Sequence, residues 1–236
     1  MNCTCKLSSG GRVKELPKLL RPRFLSGLSE EELSAMLSVA KHRQFTAASV
    51  VVHQGDPAER FFLLTSGHGR HFVTTSAGQK RTMHWLTAGQ VFGGAAILAT
   101  PINYLASTET LSDSCALVWS RETMQELVSR YRQLLDNALS ISVTEHLAWL
   151  AGAYVSITSD NAQGRIAHLL LSLASGIGIL TSDGIELPIS NEDLAAGANV
   201  TPFTASRALS QWQRAKILTK RRGKVLLRKP ELLLVL

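Results

Sequence analysis

The 236-residue sequence predicts an α+β fold: an N-terminal β-roll of jelly-roll type, a long helix, and a C-terminal winged helix-turn-helix. Three patterns predict it. Between Gln44 and Trp119, short β-rich runs alternate with glycines, and Gly55, Gly67, Gly78 and Gly89 fall 12, 11 and 11 residues apart. That rhythm suits a compact barrel of short strands. From Arg121 to about Ser159 the apolar periodicity turns helical. From Pro188 to Lys229, two short helix patterns meet at a tight turn and run into a basic hairpin.

Taken in order, residues 1–22 are mixed and basic, and read as a loose arm. Ser29 with Glu32 three residues on forms a capping box for a helix burying Leu33, Met36, Leu37 and Ala40. The roll and its flanks occupy residues 23–132. Its clearest strands are Val50–His53, Phe61–Leu64, His71–Thr75, Thr82–Leu86 and Ala116–Trp119. Gly93-Gly94-Ala95-Ala96 frees the backbone to approach a ligand or a neighbouring strand closely. After a short helix with Met124, Leu127 and Val128, the long helix and hinge span 133–160. There Leu134, Leu135, Ala138, Ile141, Leu147, Ala148 and Leu150 form an apolar side. With few charges along it, that side needs a partner, either a second copy of the chain or its own roll. Asn161-Ala162-Gln163-Gly164 reads as a hinge opening the last domain, 161–236, with a helix over Arg165–Ala174.

In that domain Ser190 is an N-cap with Asp193 as its box partner, and Asn199 tolerates the left-handed backbone a reversal needs. Thr201 and Pro202 restart a helix as N-cap and N1. Ala205, Ala208, Leu209 and Trp212 share its buried face, while Thr204, Ser206, Arg207, Gln211 and Arg214 populate the remainder. Ile217–Arg221 and Lys224–Arg228 read as strands joined at Arg222-Gly223. Lys220, Arg221, Arg222, Lys224, Arg228 and Lys229 charge that wing where a phosphate backbone would lie.

The formal net charge is +7, and from Thr201 onward nine Lys or Arg stand against one acid, Glu231. Everything before Thr201 is therefore nearly neutral, and the asymmetry points to an anionic partner for the C-terminal part. Turn and wing chemistry favour double-stranded DNA over a membrane surface. No apolar run of about 18 residues or signal core is present, which predicts a cytoplasmic protein. Cys3, Cys5 and Cys115 make no disulfide framework, and Cys115 reads as a small buried apolar residue. Glu109 and Asp113 read as acids of a solvated loop. Catalytic motifs and metal-ligand spacings are missing, so the expectation is a non-enzyme without a metal site.

The sequence resembles the CRP/FNR family of bacterial transcription regulators over about residues 24–230. The likeness rests on V-V-H-Q-G-D-P-A-E-R-F-F-L-L-T-S-G (51–67), A-G-Q-V-F-G-G (88–94), G-R-I-A-H-L-L-L (164–171) and T-P-F-T-A-S-R (201–207). It implies a homodimer paired along the long helix, with RNA polymerase as a further partner. Each recognition helix would enter one major groove of a palindromic site, with half-sites about one helical turn apart. Arg207 then matches the base-reading arginine, gripping a guanine edge. Phe203 stands where many members carry a polar residue, either to meet a thymine methyl or to pack under the helix. Thr201, Thr204, Ser206 and Gln211 would serve phosphates or base edges, and Lys220, Arg221 and Arg222 the backbone.

The sensor half departs from the family's cyclic-nucleotide pattern. Gly94 stands where those members have the glutamate for the ribose, Tyr104 and Leu105 where they have an arginine and a small hydroxyl residue. Leu150 and Ala151 align with the hydroxyl residues that meet the base. Without those charge-assisted bonds the resemblance argues against cyclic AMP. Three cysteines exclude a four-cysteine iron–sulfur cluster. Haem stays open, with His53, His68, His71 and His84 as candidates at no matching position. Gly93, Gly94, Ala95, Tyr104 and Leu150 outline an effector pocket for an unnamed ligand. The alternative to a DNA-reading regulator is a small-molecule receptor that signals through protein contacts, its winged domain having lost sequence readout.

Overall fold

The computed structural model describes residues 6–7, 13–17, 20–76, 78, 80–147, 150–151 and 161–234. They divide into two compact units, Met1–Val73 with Leu86–Ala148 and Thr74–Trp85 with Trp149–Leu236.

In the first unit, part of the arm expected to be loose is a ribbon: β1 (Lys6–Leu7) pairs antiparallel with β2 (Val13–Glu15). The roll follows as β3 (Lys41–Phe45), β4 (Val50–Val52), β5 (Arg60–Ser66), β6 (His68–Thr74), β7 (Lys80–Thr87), β8 (Val91–Phe92), β9 (Ser107–Thr110) and β10 (Ser114–Ser120). These make two four-stranded sheets, ordered β3-β10-β5-β8 and β4-β9-β6-β7. β5 reads as an unbroken apolar run because both its faces are covered. Phe61 and Leu63 belong to a core with Phe24, Met36, Trp119 and Met124. Phe62 and Leu64 belong to a second core with Val52, Leu86, Phe92 and Val118. Phe62 and Phe92 stack there at 4.5 Å between centroids, while Trp119 Nε1 donates to the Met36 carbonyl at 2.9 Å.

α1 (Glu30–Ser38) starts on the expected capping box, Ser29 and Glu32 each bonding the other's backbone N–H. The short helix is α2 (Arg121–Arg130), set off from α3 (Arg132–Ile141) at Tyr131, whose backbone is at φ −120° and ψ 85°; the long helix starts as α3 and runs into a π-helical turn over Ser142–Leu147. Its apolar residues do not share one side. Leu134 and Ile141 are buried in the roll's outer core, whereas Leu135, Leu139, Val143, Leu147 and Leu150 are exposed. The expected Ala148 lies outside the described residues.

Two further expectations fail. Glu109 is buried on β9 and accepts Arg70 Nε at 2.7 Å, because the strand's polar side chains are turned inward and paired. Cys115 is 1% exposed, as expected, but it is disulfide-bonded. Cys3 and Cys5 lie outside the described residues.

In the second unit, α4 (Ala162–Gly176) begins three residues before its expected start, capped by Asn161, which accepts the Gly164 N–H at 2.8 Å. α5 (Asn191–Gly197) and α6 (Pro202–Arg214) form the helix pair. A four-stranded sheet, β11 (Ile179–Thr181), β12 (Gly184–Leu187), β14 (Lys224–Leu227) and β13 (Leu218–Arg221) in spatial order, carries the wing. Ile166, Leu170, Leu194, Leu209, Trp212 and Leu227 are all fully buried and close its core.

Candidate nucleic-acid interface

The recognition helix is built by its ends. Ser190 caps α5 by accepting the Asp193 N–H at 3.0 Å, and its hydroxyl donates to the Asp193 carboxylate at 2.6 Å. The chain reverses through Asn199, whose φ of 51° is left-handed, as its residue type allows. Thr201 then accepts the Thr204 N–H at 3.1 Å, and Pro202 occupies the first turn without forfeiting a hydrogen bond.

Burial of Ala205, Ala208, Leu209 and Trp212 turns the opposite side of α6 outward. Phe203, Arg207 and Gln211 follow one another at four-residue steps along that side, and all three are exposed. Phe203 is 77% exposed, so it does not pack under the helix. Arg207 has no hydrogen bond or ion pair among the described residues, which leaves its whole fork available to an acceptor pair. The two threonines are placed differently. Their hydroxyls lie 2.9 Å apart within the cap, so Thr201 and Thr204 hold the helix start. Ser206 is half-buried, with the Lys220 ammonium 3.4 Å from its hydroxyl.

The wing turns at Arg222-Gly223, Arg221 pairing with Lys224 and Gly223 taking φ 69°. Gln213 on α6 accepts the Lys220 N–H at 3.0 Å, fixing the wing's first strand against the recognition helix. Not all of its cations face outward unpaired. Lys224 pairs with Glu186 at 2.7 Å and Arg228 Nε donates to the Thr219 hydroxyl at 3.1 Å. Arg221, Arg222 and Lys229 are exposed, and their side chains have no hydrogen bond or ion pair among the described residues. Together with Arg207 they form a cationic, anion-seeking surface. Lys220 is exposed beside them.

One contributor escaped sequence reasoning. Arg165, at the start of α4, donates from Nε to the Ala198 carbonyl at 3.1 Å and from Nη2 to the Asn199 carbonyl at 3.4 Å. It holds the turn that sets the angle between α5 and α6. The only signal was the G-R-I-A motif, whose arginine has no role in periodicity.

In the roll, the residues expected to outline an effector pocket hold the protein to itself. Gly93 takes φ 74°, and a Cβ there would meet the Arg60 carbonyl at 2.6 Å, so the glycine serves close strand approach. Tyr104 is buried, its hydroxyl donating to the Arg60 carbonyl at 2.8 Å and accepting the Arg60 N–H at 3.0 Å. Burial pushes that phenol's pKa up. Ala95 packs against the inner core, Gly94 has open space where a side chain would begin, and Leu150 is exposed. Beneath the loop, the buried Arg121 donates from Nη2 to the Leu98 and Ala99 carbonyls at 2.5 and 2.9 Å. Gly93–Leu105 thus presents no cationic side chain, and its one exposed hydroxyl is that of Thr100, so its residues do not supply the cation a cyclic phosphate calls for.

Of the histidines weighed for haem, His71 Nδ1 lies 2.8 Å from the Thr108 hydroxyl and His68 Nδ1 3.2 Å from that of Ser112. Burial lowers the pKa of His68. Among the described residues, no cluster of side chains could hold a metal ion, and no helix is long and apolar enough to cross a membrane.

Comparison with known proteins supports both halves. Residues 42–131 match the model of the cyclic nucleotide-binding domain, and residues 164–236 that of the Crp-like helix-turn-helix domain. The cyclic AMP receptor protein of Thermus thermophilus is 29% identical over 184 residues, covering 78% of this chain and 82% of that protein. The nitrogen fixation regulation protein FixK of Rhizobium meliloti is 26% identical over 183 residues, covering 76% and 79%. Among solved structures, the c-di-GMP responsive global regulator CLP of Xanthomonas campestris superposes with a TM-score of 0.73 at 18% identity, covering 84% of this chain and 99% of that one. FixK2 of Bradyrhizobium japonicum superposes with a TM-score of 0.72 at 20% identity, covering 83% and 96%. With a roll, a capped and turned helix pair, and a basic wing all in the order those matches require, the chain belongs to the CRP/FNR family of transcription regulators.

Proposed function

We propose that this regulator acts in the cytoplasm as a homodimer on a palindromic operator, and that α6 reads each half-site from the major groove. The observation that carries the reading is the exposed Phe203–Arg207–Gln211 row, flanked by the unpaired wing cations Arg221 and Arg222. Arg207 supplies a bidentate donor pair for guanine O6 and N7, and Phe203 an apolar surface for a neighbouring thymine methyl. The wing arginines and Lys220 lie where phosphates need neutralising, which adds affinity without sequence preference. Thr201 and Thr204 act indirectly, by fixing the helix start.

The dimer reading is supported by Leu135, Leu139, Val143 and Leu147, exposed at 36, 57, 60 and 58% and spaced four residues apart. Four large apolar side chains in one helical row call for cover, and a second copy offers the same row under two-fold symmetry. RNA polymerase is the expected protein partner. The protein's action is by binding, with no reaction to catalyse. The effector belongs to a chemical class other than cyclic nucleotides, since the loop from Gly93 to Leu105 carries no cationic side chain for a phosphate.

The test is to select preferred duplexes from a random library and then compare Arg207→Ala on the best of them. Discrimination at one base pair per half-site should fall by about 1–3 kcal/mol, with the other positions unchanged. Unaltered preference at every position would show that Arg207 does not read bases.

A further inference from the structure

At one end of the roll the two sheets part around a cleft of about 510 Å³, which no residue of Gly93–Leu105 lines. Strand register places its side chains. On β10, Val118 stands opposite Lys41 of β3 and Phe62 of β5, and Ser120 stands opposite Arg60. One rung further, Ala116 stands between Arg43 and Leu64. Residues directly opposite in a sheet share a face, and so do residues two apart on one strand. Lys41, Arg43 and Arg60 therefore lie on the face that carries Phe62, Leu64 and Val118, the side of the inner core. Where that core runs out, Phe45 and Val51 are only partly covered, and with Phe62 and Val118 they give the cleft an apolar floor.

Cations on a core-facing side need a reason. An edge strand such as β3 gains from inward charge, which discourages pairing with another sheet. Arg60 is not explained that way, because β5 is flanked by β10 and β8. All three cations are exposed, and their side chains make no hydrogen bond or ion pair among the described residues. Two acids line the same cleft, both at its Arg60 end: Glu59 precedes Arg60, and Glu122 follows two residues after Ser120. Lys41 and Arg43 have Val118 and Ala116 opposite them instead of acids. Their charge is thus uncompensated beside the apolar floor.

We propose that this cleft binds a small amphipathic anion, a carboxylate on an alkyl body. The carboxylate meets Lys41 and Arg43, and the alkyl body covers Phe45, Val51, Phe62 and Val118. Water alone would satisfy the cations, and a neutral apolar molecule the floor. Adjacent on one face, and in a volume usual for small-molecule sites, they select a ligand with both characters. Charge-assisted hydrogen bonds hold the head, and removal of the floor from water holds the body. Every described residue lining the cleft belongs to the first unit, so its occupancy is independent of whether the protein reads DNA.

Calorimetric titration of the full chain with octanoate, and with octanol as its uncharged counterpart, tests this. Wild type should bind octanoate about tenfold more tightly, as one hydrogen bond between charged groups would give. When Lys41→Ala is combined with Arg43→Ala, octanoate should fall to the level of octanol, while octanol binds as before. Phe45→Ala should weaken both ligands, since it removes floor and leaves the cations. Lys41 and Arg43 are exposed, so their double variant keeps the fold, which an unchanged melting temperature checks. Leu139→Glu, in the exposed helical row, should leave octanoate binding as in wild type. Equal affinity for the two ligands in wild type overturns the proposal, and so does an octanoate preference that survives without Lys41 and Arg43. Loss of binding in Leu139→Glu would move the ligand to the helical row and overturn it as well. A hexaglutamate peptide that bound more tightly than octanoate would make the surface a docking place for acidic protein segments instead.

Discussion

Phe203 stands 77% exposed at the start of a helix whose other large apolar side chains are buried. Leaving an aromatic ring in water forgoes the stabilisation that burial brings, and a polar residue at that position would avoid the loss. Its neighbour four residues on is Arg207, so a groove that admits the arginine also receives the ring. A thymine C5-methyl is the apolar group the major groove offers. Replacing thymine by deoxyuridine at each operator position removes that methyl and nothing else. One position per half-site should then weaken binding by about 0.8 kcal/mol, roughly the transfer of one methyl-sized group. In Phe203→Ala the same replacement should have no effect, since the surface that met the methyl is gone. An equal loss in both proteins, measured by titration of paired duplexes, would assign the methyl's effect to DNA shape instead.

At the scale of elements, Gly197 and Trp85 form a pair whose sign can be read separately. Gly197 has no left-handed backbone to keep, so alanine there is excluded by space alone: a Cβ would lie 2.3 Å from Trp85 Cη2. In wild type, Gly197→Ala should lower stability by about 1–3 kcal/mol, the usual cost of forcing a methyl into packed surroundings. In a Trp85→Ala background the same substitution should cost clearly less, because the ring is gone and only the flexible end of Leu169, 2.8 Å from the added Cβ, has to shift. Thermal unfolding of the four proteins checks it, and a destabilisation of equal size in both backgrounds would place the obstacle elsewhere. Nothing in the sequence announced this pair, for periodicity says which residues share a face and not which distant ring needs a glycine. What periodicity does carry was legible: the capping box at Ser29, the Thr201-Pro202 start, the buried face of α6 and the Arg222-Gly223 turn. Strands were legible where their faces were apolar, as in β5 and β10. β9 was not, because its buried Ser107, Thr108 and Thr110 are satisfied by hydrogen bonds to Gln54 N, His71 and the Thr46 carbonyl. β3, largely exposed and polar, was hidden for the opposite reason. The long helix was misjudged because Leu134 and Leu135 look alike in a pattern, yet one is fully buried and the other exposed.

For the molecule as a whole, charge and apolar surface assign different tasks to different parts. The cations concentrate beyond Thr201, where each phosphate neutralised releases counterions and makes binding fall steeply with salt. The row from Leu135 to Leu147 contains no charge at its exposed positions, so its contribution to assembly is hydrophobic and nearly independent of salt. The two dependences can therefore be separated. Leu139→Glu places a carboxylate in the middle of the row, and sedimentation should show the wild-type dimer replaced by monomer at moderate salt and at high salt alike. On a two-half-site duplex this variant should bind with about half the salt slope of wild type, since one head instead of two neutralises phosphates. Arg221→Ala with Arg222→Ala should leave the dimer intact and reduce the slope by roughly one per arginine in each head, while base preference stays as in wild type. A monomeric Leu139→Glu that kept the full slope would mean that one head already makes all the phosphate contacts, and the palindromic, two-headed reading would have to be abandoned even with the recognition helix correctly assigned.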